Sequence, residues 1–232
     1  MGKVSSIKNV RTSKLTGLTA FQTLLINKPA WGRYSASNWS GTTLTDLTGN
    51  ARHATTSGVS QATASGNGAT ASITYLTGTT SGTIIFPSGS CPSTFTICAL
   101  TRFTTSTTGC VLQSTGFLVC GHYINIRGGV FNNTWITNTS TVGTLTNWLN
   151  TVVTNGSMAT PNNVLIDGTV CGTLNNTYPG SGKLTINNNG AFGNPSAFAF
   201  SQLIIWDVAL TATEMSVVAT ALNTYLSTGI LK

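Results

Sequence analysis

Short β-prone runs, separated by turn-forming residues, make up most of the chain after Trp31. The runs are rich in Val, Ile, Thr and aromatic residues, and the segments between them are rich in Gly, Asn, Ser and Thr. This spacing is typical of an antiparallel sandwich or barrel. No repeat of roughly 20 to 50 residues is visible, which argues against a propeller or a solenoid. The candidate strands are "ASITYL", "GTIIFP", "FTICALTRF", "GCVLQST", "GFLVCGHYINIRGG", "WLNTVVTNGS", "NNVLIDGTVCGT", "KLTINNN" and "FAFSQLIIWDV".

Two of these runs predict local geometry. In "LIDGTV" the pair Asp167-Gly168 stands where a tight hairpin requires positive φ angles. In "FTICALTRF" four of the five alternate residues from Phe95 onward are apolar, and alternate residues of a strand point to the same face of the sheet. The residues predicted to share that face are Phe95, Ile97, Ala99 and Phe103.

The N-terminal segment combines positive charge with an apolar stripe near helical spacing, although Gly17 and the threonines lower its helix propensity. Six of the eleven basic residues lie in the first 33 positions, and the first acid is Asp46. We therefore expect residues 1–29 to form a basic arm outside a domain of residues 30–232. The arm residues expected to contact other subunits are Lys3, Lys8, Arg11, Lys14, Leu15, Leu18, Phe21 and Leu25.

The C-terminal segment predicts an amphipathic helix. Thr211 and Glu214 have capping-box spacing, and Gly229 stands where a helix C-cap is expected. An apolar stripe follows at helical spacing and should cover an end or edge of the sandwich. Its residues are Met215, Val218, Leu222 and Tyr225.

Charged side chains are scarce, at 6% of the residues, whereas Ser and Thr supply 66 of 232. The mean hydropathy of +0.18 reflects this scarcity, because no run of about 18 apolar residues is present. The first residues lack the apolar core of a secretory signal, so we expect synthesis in the cytoplasm. The start "MGKVSS" also fits the N-myristoylation pattern at Gly2, which is short and common.

The beginning and the end of the domain resemble one known superfamily. The stretch "LIIWDVALTATEMSVVATALNTYL" runs from a strand through a short loop into a capped helix, and "WGRYSASNWSGTTLTDLTGNARHAT" resembles the opening signature of the same proteins. The superfamily is that of concanavalin A-like, laminin-G-like jelly rolls, including a noncatalytic branch found in large DNA virus and algal proteins. The resemblance implies an all-β jelly-roll sandwich with a C-terminal helix, spanning about Trp31 to Leu226. It indicates little about function, because the fold serves lectins, glycosidases, adhesion modules and virion proteins.

The sequence contains few side chains that could serve as catalytic groups. A glycosidase needs two carboxylates at one glycosidic bond, and this chain has four acids, Asp46, Asp167, Asp207 and Glu214. Each acid has a predicted structural position, and the Glu-x-Asp-x-x-Glu strand of the glucanase branch is missing. Cys120 and His122 share a strand face without a third group to orient the base. We expect no enzymatic activity and no cofactor.

Two further features of the sequence, the Asp46–Asn50 pair and the five cysteines, each allow two interpretations. Asp46 and Asn50 could bind Ca²⁺ weakly, but the pattern favours an Asx-type turn in "DLTGN". The five cysteines show no metal-binding spacing, and most lie in apolar runs, where a free Cys acts as a small buried hydrophobe. The alternative is one disulfide, Cys91–Cys98 or Cys110–Cys120.

Two functions remain. The first is a structural protein of a multi-subunit assembly, a virion capsid, minor capsid or surface protein assembled in the host cytoplasm, with the arm contacting other copies, other shell proteins or nucleic acid. The second is a lectin-like module in which exposed aromatics such as Trp39, Trp135 and Trp148 stack on sugars beside Asn-rich loops. The competing interpretation places Trp148 and Trp206 in the core and makes Trp135 a loop-packing residue. The candidate glycan-binding residues are Trp39, Trp135, Asn133 and Asn188.

Overall fold

The computed structural model describes residues 17–105, 107–115, 118–137, 143–155, 164–172, 182–187 and 193–232. Within these ranges the helices are α1 (Ala20–Asn27) and α2 (Ala212–Thr228). The strands are β1 (Gly32–Ser40), β2 (Thr43–Asp46), β3 (Ala54–Gly66), β4 (Ala69–Ile85), β5 (Thr96–Phe103), β6 (Cys110–Ser114), β7 (Leu118–Tyr123), β8 (Ile126–Asn132), β9 (Leu149–Thr154), β10 (Val164–Ile166), β11 (Thr169–Gly172), β12 (Leu184–Ile186) and β13 (Phe198–Trp206).

The strands form an all-β sandwich, as the sequence predicted. Their order is β11-β10-β9-β5-β13-β1-β2-β3-β4-β12-β6-β7-β8, and the named strands pair antiparallel with their neighbours. Strand β4 belongs to both layers of the sandwich. Its residue Leu76 pairs with β13 in one layer, and its residue Ile84 pairs with β12 in the other. The two layers therefore face each other across one apolar core.

Glycines allow the long β3–β4 hairpin to bend between the layers. A Cβ added to Gly82 would lie 2.7 Å from the carbonyl oxygen of Gly58, and one added to Gly78 would lie 2.8 Å from Cε1 of Phe198. No larger residue fits these approaches without moving backbone or a buried ring. The bend thus depends on two positions that have no side chain.

Strand β5 shows how the two faces of one sheet are used. The alternate residues predicted to share a face lie in the core between the layers. The intervening Cys98 and Leu100 face the opposite side, where the helices pack. The period of two therefore predicted correctly which side chains enter the inter-sheet core. The residues in that core are Phe95, Ile97, Ala99 and Phe103.

Helix α2 covers the outer face of the β5–β13 layer. Its N-cap Thr211 and Glu214 form the predicted capping box, and Gly229 ends it in the left-handed conformation at φ 71°. The apolar stripe is buried against strand residues that include Ile204 and Trp206. The predicted boundaries and buried stripe of this helix are confirmed. The helix does not lie at an end or edge of the sandwich, however, because its stripe packs on the face of the central strand β13.

Helix α1 also packs on this layer, which corrects the expected orientation of its apolar stripe. Phe21 and Leu24 are buried beside α2, whereas Leu25 is half-buried and Leu18 precedes the helix. The helix begins at a Thr19–Gln22 capping box that the sequence analysis did not identify. Phe21 therefore packs within its own chain. The other predicted arm residues Lys3, Lys8, Arg11, Lys14 and Leu15 lie outside the described residues.

Two polar contacts fix α1 in place. The ammonium group of Lys28 lies 2.8 Å from the Glu214 carboxylate, and the indole N–H of Trp206 donates to the Lys28 carbonyl at 2.8 Å. Burial alone would raise the pKa of Glu214, but hydrogen bonds from Lys28 and Thr211 hold that pKa below its ordinary value. The described part of the N-terminal segment is thus joined to the start of α2.

We predict that Leu222→Ala lowers the free energy of unfolding by about 2 to 5 kcal/mol, because the Leu222 side chain is completely buried and its removal leaves a cavity. Leu226→Ala is the matched control, since Leu226 lies on the same helix and is only half-buried. Urea denaturation of both variants measures the difference. Equal losses would contradict the buried position of Leu222.

Candidate functional site

Three aromatic rings meet beside β8, the last strand in the described order. The centroid of the Trp135 ring lies 4.9 Å from that of Tyr123 and 5.3 Å from that of Phe131. A Cβ added to Gly129 would lie 3.5 Å from Cζ3 of Trp135, so the indole lies over a residue without a side chain. Trp135 remains 36% exposed. We call Tyr123, Phe131 and Trp135 the aromatic platform.

Residues with positive φ angles bring the three rings together. Ile124 and Asn125, at φ 30° and 59°, form the tight turn between β7 and β8, and Asn133, at φ 58°, reverses the chain after β8. Asn tolerates this region, whereas a β-branched residue rarely adopts it. Such outliers occur more often at functional sites than elsewhere. Ile124 is also 38% exposed beside the platform.

The segment after Asn133 folds back along β8. The amide of Ile136 donates to the Val130 carbonyl at 3.0 Å, and the amide of Asn132 donates to the Thr134 carbonyl at 3.0 Å. Trp135 thereby forms an isolated bridge with Phe131. Backbone pairing holds the indole in position over its own strand.

The predicted glycan-binding residues do not form one site. Trp39 is half-buried against the inter-sheet core, and its indole N–H donates to Thr56 Oγ1 at 2.9 Å. It lies on β1, whereas Trp135 follows β8 at the end of the strand order. Asn133 is exposed in the turn next to the platform, and Asn188 lies outside the described residues.

Sequence analysis missed Tyr123 and Phe131 as partners of Trp135. The available signal was the Asn-containing turn after "CGHY" and the "FNNTW" turn after β8, which together place three aromatics on neighbouring backbones. Trp148 and Trp206 are 3% and 0% exposed, so both belong to the core as the competing interpretation held. That leaves Trp135 as the exposed member of these three.

Asp46 forms the Asx-type turn that the sequence favoured. Its carboxylate accepts hydrogen bonds from the amides of Arg33, Thr48 and Arg52 and from the Thr48 hydroxyl, at 2.7 to 3.3 Å. These donors point at both oxygens, which opposes their use as cation ligands. Asn50 is exposed. Within the described ranges, no group of three or more His, Cys, Asp or Glu side chains is placed to hold a metal ion.

The other acids have different surroundings. Asp167 lies in the predicted hairpin at φ 53° and forms a 2.8 Å ion pair with Arg127. Glu214 caps α2 and pairs with Lys28, and Asp207 is exposed after β13. These carboxylates therefore belong to separate loops and caps, and three of the four have polar partners that orient them.

Cys120 and His122 are both buried, and neither is arranged for catalysis. His122 Nδ1 lies 3.3 Å from Thr101 Oγ1, and the His122 ring packs edge-on against Phe103 with centroids 4.6 Å apart. Burial and the nearby Arg127 lower the pKa of His122 to about 3. Burial raises the pKa of Cys110 to about 12 and raises that of Cys120 too. The five cysteines are free thiols, as expected.

The fold resembles that of several solved structures. No protein-family model matches the sequence, and the search of curated proteins found no match either. A mutant of Trypanosoma rangeli sialidase with trans-sialidase activity is 15% identical at a TM-score of 0.59, covering 85% of this chain and 33% of the sialidase chain. This chain therefore spans about a third of the length of that enzyme.

A second similar structure is a complete domain. Domain 4 of a GH43 extracellular arabinanase from Geobacillus stearothermophilus, in complex with arabinotriose, is 16% identical at a TM-score of 0.58. The match covers 83% of this chain and 98% of that domain. At these identities the likeness concerns the fold alone, which is a jelly-roll-like β-sandwich. In the described part of the chain, no helix is long and apolar enough to cross a membrane.

We predict that His122 makes stability depend on pH. Its folded pKa of about 3 lies below the ordinary 6.5, so unfolding takes up a proton between these values. The stabilising contribution of the neutral His122 is fully present above pH 6.5. Below that pH the free energy of unfolding falls, by up to about 1.4 kcal/mol per pH unit. Urea denaturation between pH 7 and 5 should show this slope. His122→Asn should flatten it, whereas the exposed His53→Gln should retain it; an unchanged slope in His122→Asn would contradict the assignment.

Proposed function

We propose that this protein is a noncatalytic recognition module that binds a glycan on the aromatic platform. The observation that carries the proposal is the exposed indole of Trp135, held between Tyr123 and Phe131 over Gly129. A sugar presents a flat C–H face that packs on an aromatic ring and hydroxyls that bond to polar groups nearby. The platform provides the ring, and the neighbouring Asn133 provides an exposed amide.

Rigidity supports this use of the site. Trp135 contacts two rings and is fixed by backbone hydrogen bonds on both sides, so few rotamers are lost when a ligand docks on it. Aromatic side chains that are fixed in this way are efficient anchors, because they bring large contact area at low entropy cost. The exposed Ile124 extends the apolar surface beside the ring.

A binding role also agrees with the structural contacts of the acidic side chains. Asp46 is saturated by hydrogen-bond donors, Asp167 pairs with Arg127, and Glu214 pairs with Lys28. Hydrolysis would require two carboxylates at one bond. The arabinanase domain 4 supports the same proposal, since it is a domain of this fold and of similar size whose structure contains arabinotriose.

Trp135→Ala should weaken glycan binding at least about tenfold, because it removes the stacking surface and about 1.4 kcal/mol corresponds to that factor. A glycan array identifies the ligand, and calorimetric titration measures the affinity, with arabinotriose as the first probe. Trp135→Phe should retain part of the affinity. Trp39→Phe, on another part of the sandwich, is the matched control and should bind normally.

Two results would overturn the proposal. One is an array on which the folded protein binds no glycan. The other is a glycan whose affinity is the same for Trp135→Ala and the native chain but is reduced in Trp39→Phe, which would place the site on β1.

A second candidate function is a structural subunit of an assembly, such as a virion shell or surface protein. The specific observation is an apolar groove of about 370 Å³ between α1 and α2, walled by Phe21, Val217, Ala221 and Ile230. Thr19 also lines this groove, and the basic residues 1–16 closely precede it in the sequence. We propose for this case that residues 1–16 of one copy occupy the groove of another.

Deleting residues 2–16 should preserve the thermal melt, because it leaves Phe21 and Leu24 in the core, and should abolish self-association if the second function holds. Light scattering after size-exclusion chromatography gives the mass of both forms. If the lysines bind nucleic acid in the assembly, the affinity of the full chain should fall steeply with salt. A native chain that stays monomeric at high concentration would exclude this function and leave glycan recognition.

A further inference from the structure

A small cavity lies where α1, the start of β1 and the loop after β2 meet. Its volume is about 280 Å³. Its walls are partly apolar and partly polar, and three polar side chains, Arg33, Thr48 and Asn50, line it. The apolar wall residues are Leu25, Pro29, Ala30 and Leu47. This cavity is separate from the aromatic platform, which lies beside β8.

Arg33 has an unsatisfied group at this cavity. Its Nε is buried and has no hydrogen-bond partner, while the guanidinium carbon lies 6.0 Å above the centroid of Phe21. Burial lowers the pKa of Arg33 from its ordinary value of 12.5. Arginine side chains nevertheless remain protonated in proteins. A half-buried guanidinium with an unpaired N–H is costly unless an acceptor reaches it.

The described part of the chain offers Arg33 no carboxylate. Asp46 bonds to the backbone amide of Arg33, but its two oxygens also accept from Thr48 and Arg52. The ion pairs found in the described ranges join Lys28 to Glu214 and Arg127 to Asp167. The charge of the Arg33 side chain is therefore not matched within its own fold.

We propose that this cavity binds a small organic carboxylate, with the carboxylate on the Arg33 guanidinium and a short apolar group between Leu25, Pro29 and Leu47. A planar carboxylate fits the donor fork of arginine, which can bond to both oxygens. The apolar wall residues favour a ligand with a hydrocarbon portion over a fully hydrated phosphate. A phosphate would need more donors than one arginine and the Asn50 amide, since the hydroxyl of Thr48 already donates to Asp46. The volume admits a group of a few carbon atoms.

The experiment compares two ligands of one shape. Sodium isovalerate carries the carboxylate, and isovaleramide is its neutral counterpart. Each is titrated into the native chain at constant ionic strength while the arginine Nε–Hε resonances are followed by NMR. Isovalerate should shift the Arg33 resonance in a saturable way, and isovaleramide should bind at least tenfold more weakly.

Variants locate the site. Arg33→Gln should weaken isovalerate binding at least tenfold. Arg102→Gln is the matched control, because Arg102 is another half-buried arginine, stacked near Tyr75 and Trp148 and outside this cavity; it should bind isovalerate normally. The resonance of Arg102 in the native chain should not shift.

Several outcomes would overturn the proposal. Equal binding of the amide and the carboxylate would show that charge plays no part, and an equal effect of sodium chloride would show a simple halide site. Absence of a saturable shift in the native chain also overturns it, even if Arg33→Gln fails to fold. Loss of isovalerate binding in Arg102→Gln, with Arg33→Gln unaffected, would place the site elsewhere.

Discussion

Burial of β13 on both of its faces is the constraint on which the rest of the structure depends. Phe198 and Phe200 enter the core between the two layers, while Ile204 and Trp206 lie under the helices. The strand pairs with β1, β5 and β4, so it fixes both layers and the surface that α1 and α2 cover. A strand buried on both faces tolerates no slip in register, because a shift by one residue would exchange its two sets of contacts.

The scarcity of charge shapes the functional surfaces. With four acids in the chain, an ion pair is available to few of its eleven basic residues. Arg52 and Arg102 instead lie near aromatic rings, at 4.4 Å from the centroid of Trp31 and 5.4 Å from that of Trp148. Such contacts stabilise a cation without neutralising it. In the part of the chain that the structure describes, these two half-buried charges thus have aromatic neighbours but no carboxylate partner.

Features encoded within a few neighbouring residues could be predicted from the sequence. The capping box at Thr211, the left-handed Gly229 and the Asp167–Gly168 hairpin each depend on local backbone chemistry. The buried face of α1 could not be predicted from the sequence. Leu24 and Leu25 are equally apolar, and only the position of α2 determines which of them is buried. The Arg33 cavity joins residues that only tertiary packing brings together, so composition and spacing gave no signal for it. The platform had a local signal in its two successive chain reversals, but the contact between its three rings also depends on how the strands pair.

Protection of an open sheet edge explains part of the aromatic platform, but not all of it. β8 is the terminal strand in the described order, and an open edge invites pairing with other chains. The segment from Thr134 to Ile136 folds back and bonds to the β8 backbone, which blunts that edge. Those bonds use main-chain atoms, however, and any residue that adopts the same backbone could form them. Edge protection therefore explains the reversal at Asn133 but not the exposed indole of Trp135, which is the feature that a binding role explains.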